Sequence, residues 1–225
     1  MTHKLKTLAL AAVAVLATAA MAAPAHGLEL TAAEYPATLD GTGVAGEPTN
    51  LNLGGREFIC QKTGLSGTLE KASSTVLIGR EYSECSAKLL GITYLVTITP
   101  NGCAFQLHIH TKQSGDLFKA SVDIVCEGSA GIEIYVYTNQ AEDDAGKSSC
   151  AYELPPQNGL ETVELNNMTA NGDITITPRV EKIAYKVLSG KLLLCGANGN
   201  NGIYTGSTTV TGTNKEGTQI GLEVK

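Results

Sequence analysis

The sequence predicts an all-β protein: an antiparallel β-sandwich, or two related sandwich halves, stapled by disulfides. Three observations predict this class. Short segments rich in Val, Ile, Thr and Tyr alternate in polarity and are separated by Gly, Asn, Ser and Pro. All six cysteines follow an apolar leader. Charged residues make up 17% of the chain, below the roughly 25% of average proteins, and no segment beyond the leader has a sustained helical period of apolar residues.

Residues 1–27 have the pattern of a secretory signal peptide. Lys4 and Lys6 supply its basic start, an apolar run covers residues 8–20, and small residues close it. Cleavage after Ala22 fits the pattern as well. A membrane anchor is the competing interpretation, but a span needs about 20 apolar residues and this run is shorter. We therefore expect a secreted, extracellular protein, with the cell surface as a possible location.

The charge of the exported chain excludes one class of partner. Removal of residues 1–27 takes away Lys4 and Lys6 and leaves 14 basic and 22 acidic side chains. Nucleic-acid binding depends mostly on clustered Lys and Arg, so no nucleic-acid partner is expected. No later segment is apolar enough to span a membrane.

The segment after the leader is broken by Pro and Gly, so 28–48 is expected to be irregular. A β-sandwich domain is expected over 49–225, with possible halves at 49–140 and 149–225 that echo each other weakly. The candidate strands share short length and β-branched or aromatic content: 51–60, 65–70, 75–82, 92–99, 103–111, 117–126, 132–138, 150–154, 162–165, 173–187, 192–195, 204–211 and 219–224.

The cysteines are expected to form disulfides. An even number of cysteines in an exported chain indicates disulfides, and no CxxC pattern typical of zinc sites occurs. The six are Cys60, Cys85, Cys103, Cys126, Cys150 and Cys195.

Strand spacing narrows the 15 possible pairings. A hairpin that turns near residues 72–73 places Cys60 opposite Cys85, because antiparallel partners have a constant sum of residue numbers. A hairpin that turns at 114–115 places Cys103 opposite Cys126 in the same way. The pair Cys150–Cys195 remains by elimination.

Two histidines are the weak candidates for a metal site. His108 and His110 share a face if their segment is a strand, and Asp116 or Glu127 would be the nearest further ligands in the sequence. Two partly exposed polar residues are the simpler interpretation, since nothing fixes the other ligands. The acidic residues 142–144 lack the spacing of a calcium loop. We expect no cofactor and no bound metal.

Six short stretches of the chain form a recognisable set: Tyr35–Gly41, Tyr82–Cys85, Asn101–Cys103, Val122–Cys126, Cys150 with Pro156–Leu160, and Gly202–Gly206. They resemble a group of uncharacterised exported proteins of high-GC Gram-positive bacteria that occur as many paralogues. The similarity covers nearly all of 30–225. It implies the six-cysteine β-fold and no activity, so it transfers no functional residue.

The sequence favours a non-enzymatic module that acts outside the cell in binding, adhesion or envelope structure. Loops rich in Gly, Thr and Asn on a rigid sheet suit recognition, and a cell-wall glycan or a protein surface is the expected partner. A secreted hydrolase acting on polysaccharide or peptide is the alternative, with a carboxylate pair that the sequence does not locate. Self-assembly through exposed strand edges is a third interpretation. The oligomeric state is not indicated.

Overall fold

The computed structural model of the protein describes residues 27–168 and 171–225. It is 68% strand and 4% helix with antiparallel pairing throughout, so the all-β, disulfide-stapled class is confirmed. The elements in chain order are β1 Leu30–Ala32, β2 Ala37–Gly43, β3 Thr49–Leu53, β4 Arg56–Leu69, β5 Thr75–Leu89, β6 Ile92–Thr99, β7 Cys103–Ser114, β8 Leu117–Cys126, β9 Ile132–Tyr137, α1 Gln140–Asp144, β10 Cys150–Leu154, β11 Gln157–Met168, β12 Asp173–Gly190, α2 Leu192–Cys195, β13 Gly199–Thr205, β14 Thr208–Thr213, β15 Gln219–Ile220 and β16 Leu222–Val224.

The strands pair into two closed rings that share three long members. One ring follows the pairings β2–β4–β5–β7–β8–β11–β12–β14 and returns to β2. The other follows β3–β4–β5–β6–β9–β10–β12–β13 and returns to β3. Because β4, β5 and β12 belong to both, the two rings enclose a single continuous core. Strands on either side of residues 141–148 pair with one another, as β9 does with β10 and β8 with β11.

The long strands change their inward face where they pass from one ring to the other. In β5 the buried side chains are even-numbered at Ile78 and Arg80 but odd-numbered from Cys85 onward. Glu84 lies just before the change with a φ of 54°, a left-handed value that re-phases the strand. Lys182 in β12 and Thr162 in β11 have φ of 62° and 77° at equivalent shifts.

The interior is apolar and is packed from every strand of both rings. Phe58 and Tyr152 meet edge-on, with ring centroids 5.3 Å apart, in the ring that contains β10. Leu39, Leu165 and Ile174 are fully buried in the other ring. Burial of such side chains is the main favourable term in folding.

Three disulfides cross-link this scaffold, and they are the pairs that strand register and elimination predict. Cys60–Cys85 joins β4 to β5, and Cys103–Cys126 joins β7 to β8 at directly opposed positions. Cys150–Cys195 ties α2 to β10. Among the described residues no cysteine is free.

Two expectations from the sequence need correction. The segment 28–48 is not irregular, because it contains β1 and β2, and β2 pairs with both β4 and β14. Its glycines permit close approach rather than break the strand: a Cβ on Gly41 would lie 2.8 Å from the Leu65 Cβ.

The second correction concerns residues 192–195, which form the short helix α2 and not a strand. Leu192 and Leu193 are 71% and 80% exposed, while Cys195 is buried and bonded to Cys150. Arg56 donates to the carbonyls of Leu193 and Leu194 and so satisfies the end of the helix.

The leader proposed for 1–27 lies outside the described residues except for its last one. Neither of the helices in the described part of the chain has the length and hydropathy to cross a bilayer.

Candidate ligand-binding site

A surface recess of about 370 Å³, which we call the Tyr82 groove, opens where β4 and β5 change their inward face. Polar side chains and glycines dominate its lining, and Tyr82 is its one aromatic residue. The lining residues are Thr42, Gly43, Gln61, Lys62, Thr63, Gly64, Glu81, Tyr82 and Ser83.

The groove is a product of the change of face in the two strands. Gln61 and Lys62 are consecutive exposed residues of β4, and Ser83 lies across from Lys62 in β5. The Cys60–Cys85 disulfide joins the same two strands two residues further along, on the side nearer the turn between β3 and β4. The covalent link therefore joins the two strands directly beside the groove.

Gly43, at the side of the groove, has no space for a side chain toward Thr63. A Cβ on Gly43 would lie 2.8 Å from Thr63 Oγ1, a distance at which one of them must move. Thr63 itself is buried. Any larger residue at position 43 would press on the strand that carries the groove.

Several polar side chains in the groove have no hydrogen-bond partner in the part of the chain that the structure describes. The side chains of Gln61, Glu81 and Ser83 make no hydrogen bond with the described residues, whereas Lys62 forms an ion pair with Glu84 at the rim. An amide, a carboxylate and a hydroxyl next to an aromatic ring can bind a ligand rich in hydroxyl groups.

Tyr82 separates the groove from an internal apolar space. The same side chain lines a central cavity of about 40 Å³, surrounded by residues such as Phe105, Val122 and Ile134. Its hydroxyl donates to the Tyr204 hydroxyl at 3.5 Å. Burial raises the pKa of Tyr82 well above its ordinary value, with a further rise from Tyr204 and an opposing effect of Arg80.

A buried arginine, Arg80, is connected to Tyr82 through the Tyr204 hydroxyl, to which both residues donate. Arg80 is 6% exposed, and its Nη1 donates to Tyr204 Oη at 3.1 Å and to Thr208 Oγ1 at 3.2 Å. Its guanidinium carbon lies 5.8 Å from the centre of the Tyr204 ring, within the range of a cation–π contact. The sequence alone does not predict that Arg80, Tyr204 and Thr208 meet, although a cation after Val76 and Ile78 in an apolar alternation is a visible signal.

The structure places the two candidate histidines in different surroundings. His108 Nε2 lies 2.9 Å from Asp123 Oδ2, and its Nδ1 lies 3.4 Å from Thr75 Oγ1. His110 is exposed, and its Nδ1 lies 2.8 Å from the Oγ1 of its chain neighbour Thr111. Neither Asp116 nor Glu127 joins them, and the described residues contain no group of three metal-ligating side chains.

The hydrogen bond between His108 and Asp123 connects neighbouring strands. Thr75, His108 and Asp123 lie on β5, β7 and β8, and Asp123 Oδ1 also accepts from the amide of Gly159 in β11 at 2.6 Å. This row of bonds crosses four neighbouring strands of one ring. Asp123, His108 and Thr75 have the residue types of a catalytic acid–base–hydroxyl triad. The geometry differs from a triad, because Thr75 Oγ1 lies 3.4 Å from His108 Nδ1, at the far limit of hydrogen-bonding distance.

The acidic residues of the 139–149 loop are used locally. Asn139 caps α1 by accepting from the Glu142 amide at 3.1 Å, and the Glu142 carboxylate accepts from the Thr138 amide at 3.0 Å. Burial, followed by the charge of Asp143, raises the pKa of Tyr137. These bonds help to order the loop.

A larger recess of about 470 Å³ near the C-terminus carries fewer available groups. Asn167 in its wall is bonded through its amide to both the carbonyl and the amide of Val224, at 3.0 and 2.9 Å. Glu223 is paired with Lys225 at 3.3 Å. The Tyr82 groove is therefore the better candidate for binding.

Comparison with protein families, with curated proteins and with solved structures finds no match to this chain.

Proposed function

We propose that the protein is an exported, non-enzymatic binding module whose Tyr82 groove takes a hydroxyl-rich ligand, such as an extracellular or cell-wall glycan. The observation that carries the proposal is a set of polar side chains, Gln61, Glu81 and Ser83, that hydrogen-bond to none of the described residues and line a 370 Å³ recess with one tyrosine ring. Saccharide hydroxyls can both donate to the carboxylate and accept from the amide.

Rigidity supports the same proposal. The groove lies on long paired strands with a disulfide beside it. A ligand that binds a preformed recess loses less free energy to ordering than one that must fold a loop. Three disulfides also fit an oxidising compartment outside the cytoplasm.

The chemistry of the groove favours binding over hydrolysis. Glycoside hydrolysis uses two carboxyl groups on either side of the scissile bond. The lining includes a single carboxylate, Glu81, because Glu84 lies at the rim in an ion pair with Lys62. The alternative of a secreted hydrolase would have to use residues outside this groove.

A glycan and cell-wall-fraction array with the chain from residue 28 onward tests the proposal. The wild type should bind reproducibly, and the double variant Gln61→Ala/Glu81→Ala should lose that binding by at least about tenfold, since two hydrogen bonds to a charged or amide group are removed. Lys88→Ala is the matched control, because Lys88 is exposed on the same strand outside the groove.

Two outcomes would overturn this assignment. Equal binding by the wild type and the double variant would place the ligand elsewhere on the surface. A blank array would remove the glycan as the ligand class. Loss of binding on addition of a chelator would shift attention to His108 and His110.

A further inference from the structure

The buried charge of Arg80 lacks a counter-ion among the residues that the structure describes. No carboxylate of a described residue lies at ion-pairing distance from its guanidinium. Arginine does not lose its proton in proteins, and a buried charge without an opposite charge is strongly unfavourable. An anion from outside the chain would complete this site.

The guanidinium of Arg80 has one edge, Nε and Nη2, without a partner among the described residues. Nη1 is occupied by Tyr204 and Thr208. Nε and Nη2 donate to no described group, and neither is fully buried, since every fully buried side-chain nitrogen has a partner. Two parallel N–H groups of this kind match the two oxygens of a carboxylate.

The space beside Arg80 is small and apolar. Arg80 lines a cavity of about 30 Å³, which shares Phe105, Val122 and Tyr204 with the central cavity of about 40 Å³. About 10–15 Å³ already suffices for one water molecule. The other lining residues of the Arg80 cavity are Ile78, Leu107, Val163, Ile176 and Pro178.

We propose that Arg80 binds the carboxylate of a short aliphatic acid whose chain extends into the central cavity. The guanidinium supplies the charge and the two N–H donors, and Phe105 and Val122 contact the chain. Tyr82 borders both the groove and the central cavity, so movement of its ring gives the ligand a route from outside. This site differs from the glycan groove in position and in ligand class.

Calorimetric titration and thermal unfolding with a homologous series test the site. The series runs from acetate through butyrate and hexanoate to decanoate, with the primary alcohols of the same lengths and chloride at the same ionic strength as separate arms. Carboxylates should raise the unfolding temperature and alcohols should not. Butyrate and hexanoate should bind more tightly than acetate, and decanoate should bind more weakly than hexanoate because the cavities are small.

Two variants address the head and the chain of the ligand separately. Arg80→Gln keeps N–H donors near Tyr204 and Thr208 but removes the charge, and it should weaken hexanoate binding by at least about tenfold. Val122→Leu fills part of the shared wall and should weaken hexanoate binding more than acetate binding. Val125→Leu adds the same volume on the outward side of β8 and should leave both unchanged.

The proposal is overturned if Arg80→Gln binds hexanoate as the wild type does. It also fails if the alcohols protect as well as the acids, or if chloride protects as well as every acid. Should Arg80→Gln not fold, the comparison of Val122→Leu with Val125→Leu decides the question. The groove variant Gln61→Ala/Glu81→Ala should retain hexanoate binding, which separates this site from the glycan proposal.

Discussion

Left-handed residues other than glycine are the clearest strained positions in the molecule. Thr162 has a φ of 77°, which is an outlier for a β-branched residue. Thr162→Gly is expected to raise the free energy of unfolding by about 0.5–1 kcal/mol, because glycine adopts this backbone without a steric cost. Urea unfolding measures the change.

The control lies on the next strand. Thr175 occupies a regular position in β12, opposite Asn166 and Thr209. Thr175→Gly should lower the free energy of unfolding by roughly 0.5–1 kcal/mol, since glycine weakens an ordinary strand. A loss of stability in Thr162→Gly of the same size would show that the left-handed conformation costs nothing there.

Gly43 tests how closely the groove is packed. Gly43→Ala should destabilise the protein by about 1–3 kcal/mol and weaken glycan binding, because the new methyl group meets Thr63 Oγ1. Thr63→Ala in the same chain should restore part of the loss, since the next atom of residue 63 is 3.7 Å away. Denaturant titrations of the two single variants and the double variant form the cycle. Additive losses would contradict the contact.

Among the larger elements, the three disulfides differ in what they constrain. Cys60–Cys85 and Cys103–Cys126 connect strands that are already paired, with sequence separations of 25 and 23 residues. Cys150–Cys195 closes 45 residues and fixes α2, which has few other contacts with the scaffold. Loop-closure entropy is larger for the longer loop.

Removal of Cys150–Cys195 by double alanine substitution should therefore cost more stability than removal of either other disulfide, within about 2–5 kcal/mol for each. Thermal unfolding of the three double variants ranks them. A smaller loss for the 150–195 variant would mean that local strain or residual structure outweighs loop length. Mass analysis should also show no thiol alkylated in the denatured, unreduced wild type.

The sequence predicts most strands of the two rings but not the change of face within the long ones. Each change of face coincides with two adjacent polar residues inside an apolar alternation, as at Gln61–Lys62 and Ser83–Glu84. Such a pair resembles a loop in the sequence, so β4 and β5 are expected to break or end there, whereas β12 is expected as one strand across its own polar pair. Pairing between β4 and β5 keeps both chains extended at these positions.

Across the whole molecule, buried tyrosines set the response to alkali. Burial is the largest cause that raises the pKa of Tyr152 to about 12, and its hydroxyl donates to the Cys195 carbonyl at 3.0 Å. In the unfolded chain the tyrosine pKa is near 10. The folded state thus holds the phenolic proton more tightly, so the stability is complete below about pH 10 and is lost as the pH rises toward 12.

Tyr152→Phe should make this alkaline loss shallower. At neutral pH the variant should be about 1–2 kcal/mol less stable, because the Cys195 carbonyl loses its donor. Urea midpoints against pH, together with tyrosinate absorbance, measure both effects. An unchanged alkaline slope would assign the loss to other groups, such as Tyr82, whose pKa burial also raises.

Closure of the rings also bears on self-assembly. The free edges among the described strands are short: β15 has two residues, and the separate sheet of β1 and β16 has three residues in each strand. Short edges offer little template for pairing between molecules. The arrangement disfavours polymerisation through these strand edges.

The sequence by itself determined the all-β class, most strand positions and, from the constant sums of hairpin partners, the pairings Cys60–Cys85 and Cys103–Cys126. These follow from local alternation and from neighbours in the chain. Only the tertiary structure decided that β4, β5 and β12 belong to two rings, and that Arg80 and Tyr204, 124 residues apart, meet inside. Such contacts depend on which distant strands pair, and the period of a single strand carries no information about its partner.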